Sequence, residues 1–200
     1  MTSPSSAGPN GPSPANGLIR GGPIVLVGLS GAGKTLVGRL LSTRLAWTHV
    51  DLDAEVERLA GRSIGNLFDE GGEAAFRALE AEATRSACIG ERFVVSTGGG
   101  WMTRPELRET WPDGTRVWLR VDPACAAARL ARERSIRPLL AGPDLEAALR
   151  RQLGERSSDY RLAEISVRTE RLGPEEVVDA ILDRMRAARR RTVPPQSQTE

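Results

Sequence analysis

Five short stretches of strand length punctuate the chain, and between them apolar residues recur at helical spacing. Ile24-Val25-Leu26-Val27 is continuously apolar, as a strand covered on both faces is. Trp47 to Asp51 reads as a short second strand and Phe93-Val94-Val95-Ser96 as a buried third. Thr115 to Val121 alternates as a fourth, and Ile165 to Arg168 forms a fifth. Helices are predicted at about 34–46, at Asp53 to Ala60 and at Ser63 to Glu70. Gly71-Gly72 breaks the pattern, and a longer helix follows at about 73–89. The remaining helical patterns cover about 105–111, 123–133, 144–163 and 174–189. Asp122-Pro123 supplies the start signal of the second of these. Strands alternating with helices predict an α/β fold, a parallel sheet with helices on both faces.

The ends of the chain depart from this pattern. Residues 1–22 are rich in Ser, Pro, Gly and Asn and read as a disordered extension. They lack the basic start and apolar stretch of a signal peptide. Residues 190–200 read as a disordered tail, which leaves one domain over 23–189. Arg184 to Arg191 carries five arginines. The solvated end of a helix, whose dipole suits cations there, accounts for them better than a polyanion-binding tail.

Composition narrows the class. A net charge of +2 gives no global nucleic-acid footprint, and aromatics at 4% argue against base-stacking platforms. No apolar segment approaches membrane-spanning length. Cys88 and Cys125 have no metal-ligand spacing and read as reduced cysteines of a cytoplasmic protein. No second core or extra hydrophobic face is evident, so a monomer is expected.

The chemistry starts where the first strand ends. Gly28-Leu29-Ser30-Gly31-Ala32-Gly33-Lys34-Thr35 is G-x-x-x-x-G-K-T between a strand and a helical pattern, the context of a phosphate loop. Backbone N–H groups of Gly31, Ala32 and Gly33, with Lys34, Thr35 and Leu36 at the helix start, would cradle the phosphates of ATP. Lys34 is the sole lysine among 28 basic residues. A compact ammonium fits among phosphate oxygens where a planar guanidinium does not.

Transfer of a phosphoryl group also needs a metal, an oriented hydroxyl and charge over the phosphates. The third strand ends in Ser96-Thr97 without an acid, so a metal-associated carboxylate must come from elsewhere. Asp51 is the nearest candidate, with Thr35 as the second Mg²⁺ ligand. Asp53, on the same side of the strand end, is left to accept the proton of a substrate hydroxyl. The bland alternative makes Asp53 a helix N-cap and Asp51 a turn residue. Arg77 could grip a substrate carboxylate, or merely pair with Glu73 or Glu80 on its own helix. Gly98-Gly99-Gly100 permit close backbone approach to a ligand. Around 130–144, clustered arginines meet Pro and Gly breakers, which marks a mobile lid. His49, the only histidine, reads as structural.

Together these residues resemble one family. The set Gly28–Thr35, Asp51-Leu52-Asp53, Gly61-Arg62-Ser63-Ile64, Gly72-Glu73, Phe76-Arg77, Glu80, Gly98–Gly100 and Arg137-Pro138-Leu139-Leu140 is similar to that of the shikimate kinases. The resemblance runs from about 23 to 187. It implies a P-loop kinase three-layer sandwich around a five-stranded parallel sheet in order 2-3-1-4-5. It implies transfer of a phosphoryl group from ATP, with Mg²⁺, to the 3-hydroxyl of shikimate. Lys34, Asp53 and Arg137 would be catalytic, with Arg137 on the lid. Arg77 and Arg156 would clamp the shikimate carboxylate, Glu80 would position Arg77, and Asp53 and Gly98–Gly100 would meet the ring and its hydroxyls. Ile64, Phe68 and Phe76 would form an apolar wall. Arg129 and Arg132 both stand as neighbours of adenine, with Arg132 carried into the ATP set. Two departures bear on the acceptor site. Ser158-Asp159 precedes Tyr160 where the family shows Pro-Leu, and Trp101 follows the glycines where a small residue is usual; its ring would either narrow the pocket or pack behind it.

Two other functions share some of these residues. A gluconate kinase of the same fold would use a similar carboxylate grip. A non-catalytic nucleotide-binding module would have no need of Lys34, Thr35, Asp51 and Asp53 together.

Overall fold

The protein is described by a computed structural model over residues 22–87, 92–132 and 144–192. At its centre lies β1 (Ile24–Val27), with all four side chains buried. It pairs in parallel with β3 (Phe93–Ser96) on one side and β4 (Thr115–Arg120) on the other. Outside these lie β2 (Thr48–Asp51) against β3 and β5 (Ile165–Arg168) against β4, which gives the order 2-3-1-4-5. Burial falls toward the edges. In β5 the buried Ile165 and Val167 alternate with exposed Ser166 and Arg168. A central strand covered by helices on both faces must be apolar throughout, whereas an edge strand needs one apolar face.

Seven helices connect and cover the strands in the described residues: α1 (Lys34–Leu45), α2 (Leu52–Ala60), α3 (Ile64–Ser86), α4 (Pro105–Arg108), α5 (Pro123–Arg132), α6 (Leu145–Tyr160) and α7 (Pro174–Thr192). Local chemistry sets their limits. Asp51 caps α2 by accepting from the amides of Asp53 (3.1 Å) and Ala54 (3.4 Å), so the helix starts at Leu52 rather than Asp53. Ser63 caps α3 through Asn66 N, and Asp144 caps α6 through Ala147 N. Within α3 the pattern breaks at Gly72, whose φ of 65° and ψ of −169° are not helical. Past Arg108 the backbone tightens, with Thr110 N bonded to Leu107 O at 3.2 Å, and α4 stops short of the expected 111. The same tightening after Tyr160 (Leu162 N to Asp159 O, 3.0 Å) ends α6 before 163. At the other end of the chain, α7 continues to Thr192, into the stretch read as tail.

Helix α1 packs against α7, and Arg44 reaches from α1 to Glu175 and Asp179, each at 3.0 Å. Those side chains are about half exposed, so each pair contributes about 0–1 kcal/mol. Burial of Val178 and Ile181, both at 0% exposure, outweighs them at about 1.5–3 kcal/mol per side chain.

Trp101 opens a single 3-10 turn, Trp101–Thr103, that the sequence pattern did not predict. Its ring is 1% exposed, stacks on Trp111 with centroids 5.6 Å apart, and donates from Nε1 to Thr84 Oγ1 at 3.1 Å. The indole therefore packs behind the glycine loop and does not narrow the pocket.

Among the described residues, no helix is long and apolar enough to cross a membrane. The extension through residue 21, the tail from residue 193, Cys88, and lid residues 133–143 with Arg137 lie outside the described residues.

Candidate active site

The parallel registers bring the C-terminal ends of three strands to one level. Asp51 pairs with Ser96 across β2 and β3, and Ser96 with Leu26 across β3 and β1. The loops beyond them therefore open onto one edge of the sheet, where ligands bind in such folds. Gly28 to Gly33 form the loop after β1, with Gly31 (φ 77°) and Gly33 (φ 88°) in conformations that side chains rarely adopt. The first turn of α1 has neither a side-chain cap nor an acidic residue, which leaves its amides for an anion.

These loops line a cavity of about 700 Å³. Its lining includes Ser30 to Leu36 of the loop and the start of α1, Asp51, Asp53 and Thr97 from the strand ends, and Arg129, Arg132, Leu172, Pro174 and Val177. Lys34 Nζ donates to the carbonyls of Gly28 and Leu29, both at 2.9 Å. Thr35 Oγ1 donates to Asp51 Oδ2 at 2.7 Å. The two oxygens of Asp51 thus divide their work: Oδ1 caps α2, and Oδ2 faces the phosphate loop. The bland reading of this pair is corrected on one point, because the N-cap is Asp51 and Asp53 sits in the first turn of the helix.

Arg129 and Arg132 are separated by their contacts. Arg129 donates to Thr169 Oγ1 (3.1 Å), Thr169 O (2.7 Å) and Gly31 O (3.4 Å). Its guanidinium ties α5 to the phosphate loop and to the end of β5. Arg132, the last residue of α5, is exposed and faces the cavity.

His49 is structural. Ser96 Oγ donates to the Lys34 carbonyl at 3.0 Å and so accepts from His49 Nε2, also at 3.0 Å. Burial holds the imidazole pKa below its usual value, and the nearby Asp51 opposes this. The neutral ring thereby braces the start of α1 against β3.

The second half of the site surrounds Gly98–Gly100. A methyl group on Gly98 would lie 2.9 Å from Glu80 Oε1 and 3.3 Å from Asp53 Oδ1. On Gly99 it would meet Arg156 Nη1 at 3.2 Å, and on Gly100 both terminal nitrogens of Arg77 at 2.9 Å. Three consecutive glycines therefore bring two carboxylates and two guanidinium groups together, and any side chain would fill the space between them. Phe76, 5% exposed, packs its ring 5.1 Å from that of Phe68, and the Arg77 guanidinium lies 5.4 Å above it. Arg77 binds both of the partners expected for a merely structural arginine: Glu73 through Nε (3.1 Å) and Nη2 (2.8 Å), and Glu80 through Nη1 (2.9 Å). Even so, its guanidinium stands against the glycine loop.

Glu80 is 1% exposed, and its Oε1 has no hydrogen-bond partner among the described residues. Burial pushes its carboxyl above the usual range, and Arg77 opposes that shift. Tyr160 is fully buried and donates to Gly99 O at 2.5 Å. Burial pushes its pKa up to about 12, so the phenol remains a donor at neutral pH. Arg156 lies one turn before it on α6 and donates to Gln152 Oε1 at 3.1 Å. The unusual Asp159 faces Arg108 at 3.5 Å, and Arg108 donates to Met102 O at 2.5 Å. Arg108 on α4 thus links α6 to the 3-10 turn at the place of the Pro-Leu departure, and Arg156 still reaches Gly99.

A family profile described as shikimate kinase matches residues 30–186. The shikimate kinase of Synechococcus sp. (strain CC9902) is 40% identical over 164 residues, spanning 82% of this chain and 86% of that protein. The solved structure of shikimate kinase from Acinetobacter baumannii in complex with shikimate superposes with a TM-score of 0.80 at 30% identity, over 90% of this chain and all of that one (100%). A gluconokinase from Sinorhizobium meliloti 1021 superposes with a TM-score of 0.56 at 20% identity, over 86% and 95% of the two chains, a likeness of fold alone.

Proposed function

The chain belongs to the shikimate kinase family, and on that premise we propose how its cleft moves the γ-phosphoryl group of ATP to the 3-hydroxyl of shikimate. One observation carries the reading. Asp53 belongs to both halves of the site: it lines the phosphate-loop cavity, and its Oδ1 stands beside Glu80 at Gly98. A hydroxyl held by Asp53 is therefore presented to a phosphate held by the loop.

The roles follow from that placement. The amides at the start of α1 take the phosphates, and Lys34 exchanges its two carbonyl partners for phosphate oxygens. Arg77 and Arg156 hold the shikimate carboxylate from two sides of the glycine loop, each with a planar fork suited to two oxygens. The 3-oxygen forms its bond to the γ-phosphorus as the bond to the bridging oxygen breaks. Its proton passes to Asp53, and ADP leaves. Arg132, with Leu172 and Pro174, borders the space for adenine. Arg137 would bring charge over the phosphates from the lid.

The residues present fit Mg²⁺. Thr35 Oγ1 and Asp51 Oδ2 are adjacent hard oxygens, and no group of three or more His, Cys, Asp or Glu gathers among the described residues. Mg²⁺ is held in this way, by one or two protein oxygens completed by phosphates and water. Bound there, it would neutralise charge on the transferring phosphate. A cytoplasmic monomer without nucleic-acid or membrane partners completes the proposal, supported by the net charge of +2.

Gluconate offers a similar carboxylate, and the test separates it. ADP release is measured by a coupled assay with shikimate, with gluconate and with no acceptor. Rapid release with shikimate alone is the expected result. Equal release without acceptor would reduce the protein to an ATPase, and preference for gluconate would move it to the other kinase.

A further inference from the structure

Arg104 lies between the 3-10 turn and α4, and no step of the transfer described above calls on it. Its Nη1 donates to the main-chain carbonyl of Arg77 at 2.9 Å and lies 3.5 Å from Glu80 Oε2. Its Nε donates to Glu106 Oε1 at 2.7 Å. Glu80 Oε2 is also the oxygen that accepts from Arg77 Nη1. One buried carboxylate oxygen thus faces two guanidinium groups, one from α3 and one from the segment behind the glycine loop.

The acceptor makes this arrangement consequential. Arg77 has Nε and Nη2 on Glu73 and Nη1 on Glu80. To present its Nε–Nη2 edge to a substrate carboxylate, it must release Glu73. The Glu73 side chain is 57% exposed and can return to water at little cost. The Glu80 side chain is 2% exposed and cannot, because a buried carboxylate without compensating charge is strongly disfavoured. Arg77 is therefore expected to drop Glu73 and keep Glu80, and its share of Glu80 weakens as its charge is drawn toward the substrate.

We propose that Arg104 is a positioning residue for the acceptor: it anchors the Arg77 backbone and shares the Glu80 carboxylate, so that Arg77 can turn its free edge to the substrate. The inference rests on the reading that Arg77 grips the shikimate carboxylate. Three charged groups face Glu80. Arg77 comes from its own helix, Asp53 from α2 and Arg104 from the segment before α4. Burial raises the Glu80 pKa, Arg77 lowers it, Asp53 raises it and Arg104 lowers it. Removing Arg104 lets Glu80 take up a proton at a higher pH, and a neutral Glu80 no longer holds Arg77 by charge. The acid limb of activity must then move toward neutral pH.

The test compares the full chain with Arg104→Gln and Arg104→Lys in steady-state kinetics across pH. Arg104→Gln should raise KM for shikimate by about tenfold, the usual scale for losing a hydrogen bond to a charged group. KM for MgATP should stay within about twofold, and the acid limb of kcat/KM for shikimate should shift upward. Arg104→Lys, which keeps the charge, should restore the limb, and Arg104→Met, which removes it, is read in the same way as Arg104→Gln if that variant does not fold. Unchanged shikimate KM and an unchanged acid limb would overturn the proposal. So would an equal rise in both KM values with a lowered Tm, the mark of a merely structural residue. A wild-type protein that ignores shikimate would sink the acceptor reading and this inference with it. An active wild type with an indifferent Arg104→Gln sinks the inference alone.

Discussion

Asp53→Asn should lower kcat by roughly 10²–10⁴, the scale of a positioned general base, with MgATP affinity within about twofold of wild type. The amide keeps the size of the side chain and its place in the first turn of α2, but it cannot take a proton from the acceptor. Shikimate affinity should fall as well, because Asp53 Oδ1 borders the pocket at Gly98. Asp51→Asn should behave differently. Its Oδ1 position still caps α2, while the charge facing Thr35 is gone. That variant should need more Mg²⁺ for half-maximal rate and keep its shikimate affinity. Titrations of MgATP and shikimate with single-turnover rates separate the two. If Asp53→Asn loses MgATP and keeps shikimate, the two roles are reversed.

The second large effect is expected at Lys34. Its Nζ sits between two carbonyl oxygens, each 2.9 Å away, where a point charge fits and a planar fork does not. Lys34→Arg preserves charge in a chain whose other basic residues are all arginine. The rate should still fall about 10²–10³-fold, the usual cost of losing one preorganised donor to transition-state charge. Tm should barely change, because the loop stays tied to α5 through Arg129 and Gly31. Wild-type turnover in Lys34→Arg would remove the phosphate-ligand role.

Much of this frame is visible in the sequence because its signals are local. The apolar run of β1, the alternation of β5, the glycine break in α3 and the phosphate loop each declare themselves within a few residues. The order of the strands is different, since no local pattern encodes which strands are neighbours. It came from the resemblance, and the structure shows the same order. The start of α2 was displaced by one residue because Asp51 and Asp53 are both good caps. Only the tertiary demand on Asp51, which meets Thr35 with its other oxygen, places the cap.

At the acceptor site, sequence reasoning supplied Arg77, Asp53 and the glycines but passed over Arg104. That arginine shows no periodicity and no motif. Its partners, Arg77 and Glu80, lie on a helix that only folding brings beside it. The 3-10 turn at Trp101–Thr103 was missed for a similar reason. Its Trp-Met pair is apolar because both side chains are buried behind the pocket, and three residues are too few to show a period. Trp101 itself needed Thr84 and Trp111 in place before its two readings could be told apart.

If the loop holding ATP and the glycine pocket holding shikimate act on one reacting pair of atoms, one product must form. The direct measurement is the structure of the product. Shikimate, ATP and Mg²⁺ are incubated with the full chain, and the product is read by phosphorus–proton correlation NMR alongside ADP release. The expected result is a single phosphomonoester coupled to the proton on carbon 3, formed in step with ADP. Phosphate on another hydroxyl, or ADP released without a phosphorylated acceptor, would contradict it.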